Sequence, residues 1–214
     1  MPETPAEASV AVTGPAVEAA APPRVSEARE RLLRVASELF YREGVHSVGM
    51  ERVLREAGVT RATMYRHFSG KEALVAACLT RQDAAARAVF APLTRALDAA
   101  APLEQEGRAS VIELLVAGVA DDIEREHTRG CPFINAAVEY PDASSEVRRI
   151  VAAHRAWFRE LVHRTLIAAG TPDPHGATAQ LVLLRDGALI GAYLDGPEAA
   201  RTAFTAAALR IAAP

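Results

Sequence analysis

Between Val48 and Lys71 the chain reads V-G-M-E-R-V-L-R-E-A-G-V-T-R-A-T-M-Y-R-H-F-S-G-K, and this stretch restricts its possible folds more than any other. Met50, Val53, Leu54 and Ala57 fall on one face of a short helix over about 50–57. Gly58 then supplies a tight turn. Thr60 is a good N-cap for a second helix that the pattern runs to about His67. Val59, Met64 and Phe68 are spaced to face a core, which leaves Arg61, Ala62, Thr63, Tyr65 and His67 facing outward. So short and polar a helix is unstable alone and must be held by others. The segment before it supplies the partner: Ser26 as N-cap, Glu27 beside the positive helix end, an apolar stripe of Leu32, Leu33, Ala36, Leu39 and Phe40, and Gly44 as the stop. Three helices presenting one small, polar, cationic face form the arrangement that enters a DNA major groove.

Charge distribution agrees with that reading. From Arg24 to Lys71 there are ten Arg or Lys against six Glu, a net +4 inside a chain of net charge −3. A positive end on a negative body attracts phosphate without coating nucleic acid indiscriminately. A solvated helical surface would carry similar charges.

The rest of the chain also reads as helical. Half of its 214 residues are apolar, aromatic residues are few, and Ala is abundant. Residues 1–23 are rich in Ala, Pro, Glu and Val without periodicity and read as a disordered tail. Ser69-Gly70-Lys71-Glu72 has the form of a capping box, opening a long helix that Leu74, Val75, Cys78, Leu79, Ala85, Ala86, Val89 and Phe90 carry to Pro92. Further helices are expected at about 93–100, 108–127, 132–140, 145–169, 175–194 and 197–212, separated by Gly and Pro. The expected organisation is a tail over 1–23, a DNA-reading unit over 24–70 and a larger helical body over 71–214.

The run A-G-V-T-R-A-T-M-Y-R-H-F-S-G-K-E-A-L resembles the signature of TetR-family transcriptional regulators, over about 45 residues from the first helix to the start of the fourth. That resemblance implies that Arg61, Ala62 and Thr63 approach bases, while Thr60, Tyr65 and His67 hold phosphates. Lys71, the single lysine of the chain, would reach a further phosphate. Packing of Tyr65 on the first helix, or a plain surface role for His67, are the structural alternatives. Gly49 departs from the family pattern, which places a Ser or Thr there; Ser47 is the nearest substitute.

The resemblance also implies a C-terminal domain that binds a small-molecule effector and forms a homodimer through its last two helices, acting on a double-stranded DNA operator, in most cases as a repressor. In the penultimate helix Leu181, Leu184, Ala188 and Ala192, with Gly187 and Gly191, make a small apolar face, and Phe204, Ala208 and Ile211 form a stripe in the last. The segment R-G-C-P-F-I-N-A-A-V-E-Y-P-D, 129–142, resembles one that lies beside the pocket in some of these regulators. His154 and Trp157 share a face and could line that cavity with Phe158; Phe90, Cys131 and Phe133 complete the expected lining.

Other classes find less support. There is no phosphate loop, HExxH, nucleophile elbow or paired-carboxylate constellation, so no enzyme is indicated. An adaptor whose helix-turn-helix binds protein instead of DNA is the alternative function, and the basic helix argues against it. Cys78 and Cys131 lack framework or metal spacing and fit a reduced, cytoplasmic protein with inert core thiols. His127, His163 and His175 show no ligand spacing, and Asp121, Asp122, Glu124 and Glu126 read as a solvated acidic face, so neither metal nor cofactor is expected. No apolar run approaches the roughly 20 residues of a membrane span, and no signal-peptide pattern opens the chain.

Overall fold

A computed structural model describes residues 26–99, 104–124 and 129–213. The expected tail over 1–23, together with Glu126 and His127, lies outside them. Ten α-helices and no strand occur among the described residues: α1 (Glu27–Glu43), α2 (Met50–Ala57), α3 (Arg61–Tyr65), α4 (Lys71–Val89), α5 (Ala91–Asp98), α6 (Gln105–Glu124), α7 (Pro132–Glu139), α8 (Glu146–Ala169), α9 (Pro174–Asp195) and α10 (Pro197–Ala212).

The apolar stripe of α1 is buried from Leu32 to Phe40 and packs on α2, α3 and α4. Gly44 closes α1 at φ 90°, donating its N–H to Phe40 O, and Gly58 closes α2 at φ 60°. Ser26 occupies the N-cap of α1, but its hydroxyl makes no cap bond. α3 is five residues long and stops at Tyr65, two short of the sequence expectation. Ser69 does not cap α4: the cap position falls on Gly70, so the S-x-x-E pattern sits one residue too early to act.

α4 spans both regions, packing on α1 and on α8. It ends at Val89 rather than Pro92, because Pro92 cannot donate an N–H and so belongs to the first turn of α5. The Phe90 ring at this break packs against Gly118 of α6, where an added Cβ would lie 2.5 Å from ring carbon Cε1. The remaining helices form a bundle in which α9 and α10 pack on each other and on α6. Leu181, Ala192, Phe204 and Ala208 are buried within this single chain. They are the intrachain seam and not the partner-facing surface expected for them. The exposed large apolar residues of the two helices are a different set: Leu183, Tyr193 and Leu194 on α9, and Leu209 on α10.

Candidate nucleic-acid interface and ligand cavity

α3 is anchored from one side. Met64 is only 2% exposed and Phe68 and Val59 are buried with it; Arg29 of α1 covers the Phe68 ring at 5.5 Å. Thr60 caps the helix, its hydroxyl oxygen accepting the Thr63 N–H at 3.2 Å, an interaction typically worth about 1 kcal/mol. Arg61, Ala62 and Tyr65 are exposed, and Thr63 and His67 are half-buried.

Several of these side chains hold one another. Thr60 Oγ1 donates to Thr63 Oγ1 at 2.9 Å, and Arg66 reaches the same oxygen at 3.1 Å. Arg61 pairs with Glu51 of α2 at 3.2 Å, with both groups well exposed. His67 is half-buried and tied to the start of α1, its Nε2 lying 3.1 Å from the Ser26 hydroxyl. Lys71, at the start of α4, stands 5.9 Å from the Phe40 ring centroid, and burial pushes its ammonium below the usual lysine range, partly offset by Glu139. Gly49 caps α2 without a side chain, and nothing lies within 4 Å of where its Cβ would be.

Below this head, a cavity of about 380 Å³ opens between α7, α8 and α9. Cys131, Phe133, His154 and Phe158 line it together with Val138, Val151 and Ala152. Phe90 and Trp157 do not. They line a separate narrow cleft on the other side of His154 and Phe158, where the Trp157 indole meets Phe90 edge-on and Arg87 lies 4.6 Å above it.

His154 is 3% exposed. It stacks on Phe133 with ring centroids 3.7 Å apart and planes 3° from parallel. Its Nδ1 lies 2.7 Å from Asp83 Oδ1 on α4. Burial raises the affinity of Asp83 for a proton, but hydrogen bonds from Arg87 and His154 outweigh it, leaving the carboxyl below its usual range. Burial likewise pushes the imidazole below its ordinary value, an effect that Asp83 only partly offsets. A carboxylate can only accept, so a neutral His154 donates from Nδ1 and keeps a lone pair on Nε2. That Nε2 is buried with no hydrogen-bond partner among the described residues.

Arg185 of α9 completes the wall. Its guanidinium lies 5.1 Å from the Phe158 ring centroid and reaches Asp122 at 3.5 Å and Asp186 at 3.4 Å. Neither Arg185 nor Asp83 stands out in the sequence, because each looks like a solvated charge on a helix. Asp122 and Glu124 are likewise not a free acidic face, since Glu124 pairs with Arg201 at 3.3 Å. His163 and His175 do meet, with rings 4.6 Å apart, but no group of three potential metal ligands forms among the described residues. Both cysteines are buried and unbridged. No helix among the described residues is long and apolar enough to cross a membrane.

A second space of about 510 Å³ lies between the start of α6 and the ends of α8 and α10. Its charged groups, Arg108 and Glu113, are both exposed.

A three-helix reading head on an all-helical body defines a helix-turn-helix transcriptional regulator. Residues 32–78 match the family described as bacterial regulatory proteins, tetR family, and residues 110–208 match the tetracyclin repressor-like C-terminal domain. The solved structure of SCO4454, a TetR-family transcriptional regulator from Streptomyces coelicolor, is similar with 40% identity and a TM-score of 0.77, covering 87% of this chain and 94% of that one. The chain belongs to the TetR family. A structure described as a TetR transcriptional regulator from Streptomyces avermitilis is 27% identical, with a TM-score of 0.63 over 85% of this chain and 97% of its own. Curated relatives match mainly in the reading head. The regulator SrpR of Pseudomonas putida is 42% identical over 57 residues, 26% of this chain and 27% of its own length. The transcriptional activator FasR of Mycolicibacterium smegmatis is 44% identical over 55 residues, 26% of this chain and 25% of its own length. The chain thus spans only about a quarter of the length of these curated relatives.

Proposed function

We propose that this chain is a cytoplasmic, homodimeric repressor released from a palindromic operator by a small-molecule effector. Residues 24–70 act as the reading unit and 71–214 as the effector and dimer body. The observation that carries the reading is the one-sided anchoring of α3: Met64 and Phe68 are buried while Arg61, Ala62 and Tyr65 face solvent. Arg61, Ala62 and Thr63 read base edges, and Thr60, Tyr65, His67 and Lys71 position the helix on phosphates. Leu183 and Leu194, eleven residues apart and thus about three turns along α9, meet their twofold copies with Leu209 of α10.

Effector control runs through α4 and α7. α4 carries Lys71 at its start and, about 18 Å along its axis, Asp83, which holds His154 on the cavity wall. A ligand that favours one position of these helices changes the spacing of the two reading heads and so their fit to the half-sites.

The test is binding to the DNA upstream of the chain's own gene. We expect a specific shift with a steep salt dependence, abolished or relaxed in sequence preference by Arg61→Ala. Absence of any sequence-specific shift across that region, with Arg61→Ala indistinguishable from the parent, would refute the proposal.

A further inference from the structure

We infer that the cavity between α7, α8 and α9 takes an apolar organic acid, its ionised carboxyl bound by Arg185. This deepens the effector reading above and rests on it. Four observations converge.

The first is Arg185 itself. Although it is only 9% exposed, its contacts to Asp186 at 3.4 Å, Asp122 at 3.5 Å and Cys131 Sγ at 3.7 Å are all long. A charge-assisted N–H···O bond is about 2.7–2.9 Å. Asp186 is meanwhile held at 2.7 Å by Arg155. Among the described residues the guanidinium therefore has ion-pair partners but no short charge-assisted hydrogen bond, and an incoming carboxylate would supply one bidentately.

The second is the sign of the wall. Among the described residues the cavity is lined by Arg148, Arg155, Arg185 and His154 and by no acidic side chain. Asp122 and Asp186 pair with Arg185, leaving three guanidinium groups against two carboxylates among these described residues. Arg87, the other cation near His154, is spent on Asp83 at 2.7 Å.

The third is the orphaned Nε2 of His154. With Nδ1–H given to Asp83, this atom can only accept, and it belongs to a ring that lines both the cavity and the Phe90–Trp157 cleft. The fourth is the apolar remainder. Phe133, Val138, Val151, Ala152 and Phe158 offer a surface for a ring or a short chain. The cavity volume falls within the range of small-molecule sites, roughly 300–1,000 Å³.

The experiment is calorimetric titration of the full chain with octanoate and 3-phenylpropionate, each beside its uncharged primary amide. Both acids are expected to bind at least about tenfold more tightly than their amides, a difference of roughly 1.4 kcal/mol. Arg185→Gln should erase the preference. Ala152 is exposed at the cavity mouth, so Ala152→Trp should block the acids while leaving the melting temperature unchanged. If Arg185→Gln does not fold, the acid-to-amide ratio in the parent and the effect of Ala152→Trp decide the matter.

Amides as tight as acids, acid binding untouched by Ala152→Trp, or no binding of either acid would each overturn the inference. Operator release is measured separately. Acids that bind in the cavity without releasing DNA leave the ligand class standing and refute the effector reading. Release by the amides but not the acids does the reverse.

Discussion

Glu139 and His46 bind each other in both directions. The Glu139 carboxylate accepts the His46 backbone N–H at 2.7 Å, and the His46 imidazole Nε2 lies 2.8 Å from the Glu139 carbonyl, to which it can only donate. The same carboxylate accepts the Val45 N–H at 2.8 Å. At the other end of α7, the Tyr41 hydroxyl donates to Gly130 O at 2.9 Å and accepts the Arg129 N–H at 3.0 Å. α7 is therefore a strut. Phe133, Ile134, Ala137 and Val138 line the cavity, and both its ends are fastened to the end of α1 and the turn into α2.

Cutting one fastening should loosen the head without emptying the cavity. Glu139→Ala is expected to cost about 1–2 kcal/mol, since its bonds are charge-assisted but partly solvated. It should also speed amide exchange at Val45 and His46. Hydrogen exchange read by NMR is the direct check, and unchanged protection at those two amides would show that the strut carries no load there.

Gly49 offers a gain of function. A serine at this N-cap has open space and a suitable extended backbone, φ −75° and ψ 145°. Gly49→Ser should add a few tenths of a kcal/mol of stability and tighten operator binding without changing its salt slope, because a hydroxyl displaces no counterion. Lys71→Gln should instead lower that slope by about one. Measuring affinity at several salt concentrations separates the two; equal slopes for parent and Lys71→Gln would remove Lys71 from the phosphate contacts.

Neighbouring positions on α3 should fail differently. Met64→Ala empties a buried site and is expected to cost about 2–5 kcal/mol, so DNA binding disappears with the fold of the head. Tyr65→Phe removes only a hydroxyl from a side chain that is 55% exposed, so the melting temperature should hold while operator affinity falls. A large drop in melting temperature for Tyr65→Phe would mean that this residue is structural after all.

His154 makes stability depend on pH. Burial depresses its folded value below the ordinary 6.5, so the unfolded chain binds the extra proton first as pH falls. Stability is full above 6.5 and declines from there down to the depressed folded value, by at most about 1.4 kcal/mol per pH unit. Asp83, whose carboxyl is held below 3.8, contributes its own loss only at much lower pH. Urea titrations at pH 7.5 and 5.5 should show the loss, and His154→Gln should flatten it; an equal decline in that variant would assign the effect elsewhere.

Gly118 sits in mid-helix, where helix propensity alone favours Ala by about 1 kcal/mol. The Phe90 ring reverses that preference, because the new methyl would overlap it. Gly118→Ala should therefore destabilise by about 1–2 kcal/mol, and adding Phe90→Leu should restore most of the loss. Thermal melts of the single and double variants make the comparison.

The reading head was legible because its determinants are local. The α1 stripe, the Thr60 cap and the Met64–Phe68 spacing each show as a pattern within a few residues, even though the stripe packs on helices further along the chain. Ser69 shows the limit of local pattern: the S-x-x-E spacing is present, yet the chain places Gly70 at the cap. The cavity chemistry was mostly illegible. Asp83 finds His154 across 71 residues and Glu139 finds Val45 across 94, and nothing near either acid in the sequence marks that pairing. Arg185 follows Leu184 and precedes Asp186, which reads as a surface ion pair on a helix edge; only the packing of α9 over Phe158 buries it. On α9 and α10 the apolar periodicity was real, but spacing alone cannot tell a seam within one chain from a seam between two.

On α3, Arg61 is already taken by Glu51, and Thr63 by Thr60 and Arg66. On the proposed role of Arg61 and Thr63 as base readers, every DNA sequence would compete with the protein's own side chains for the same donors and acceptors. A correct base edge would replace what it displaces, whereas a wrong one would leave the helix better satisfied alone. Discrimination would then be built into the unbound state, and loosening those internal bonds would make the protein stickier and less selective at once.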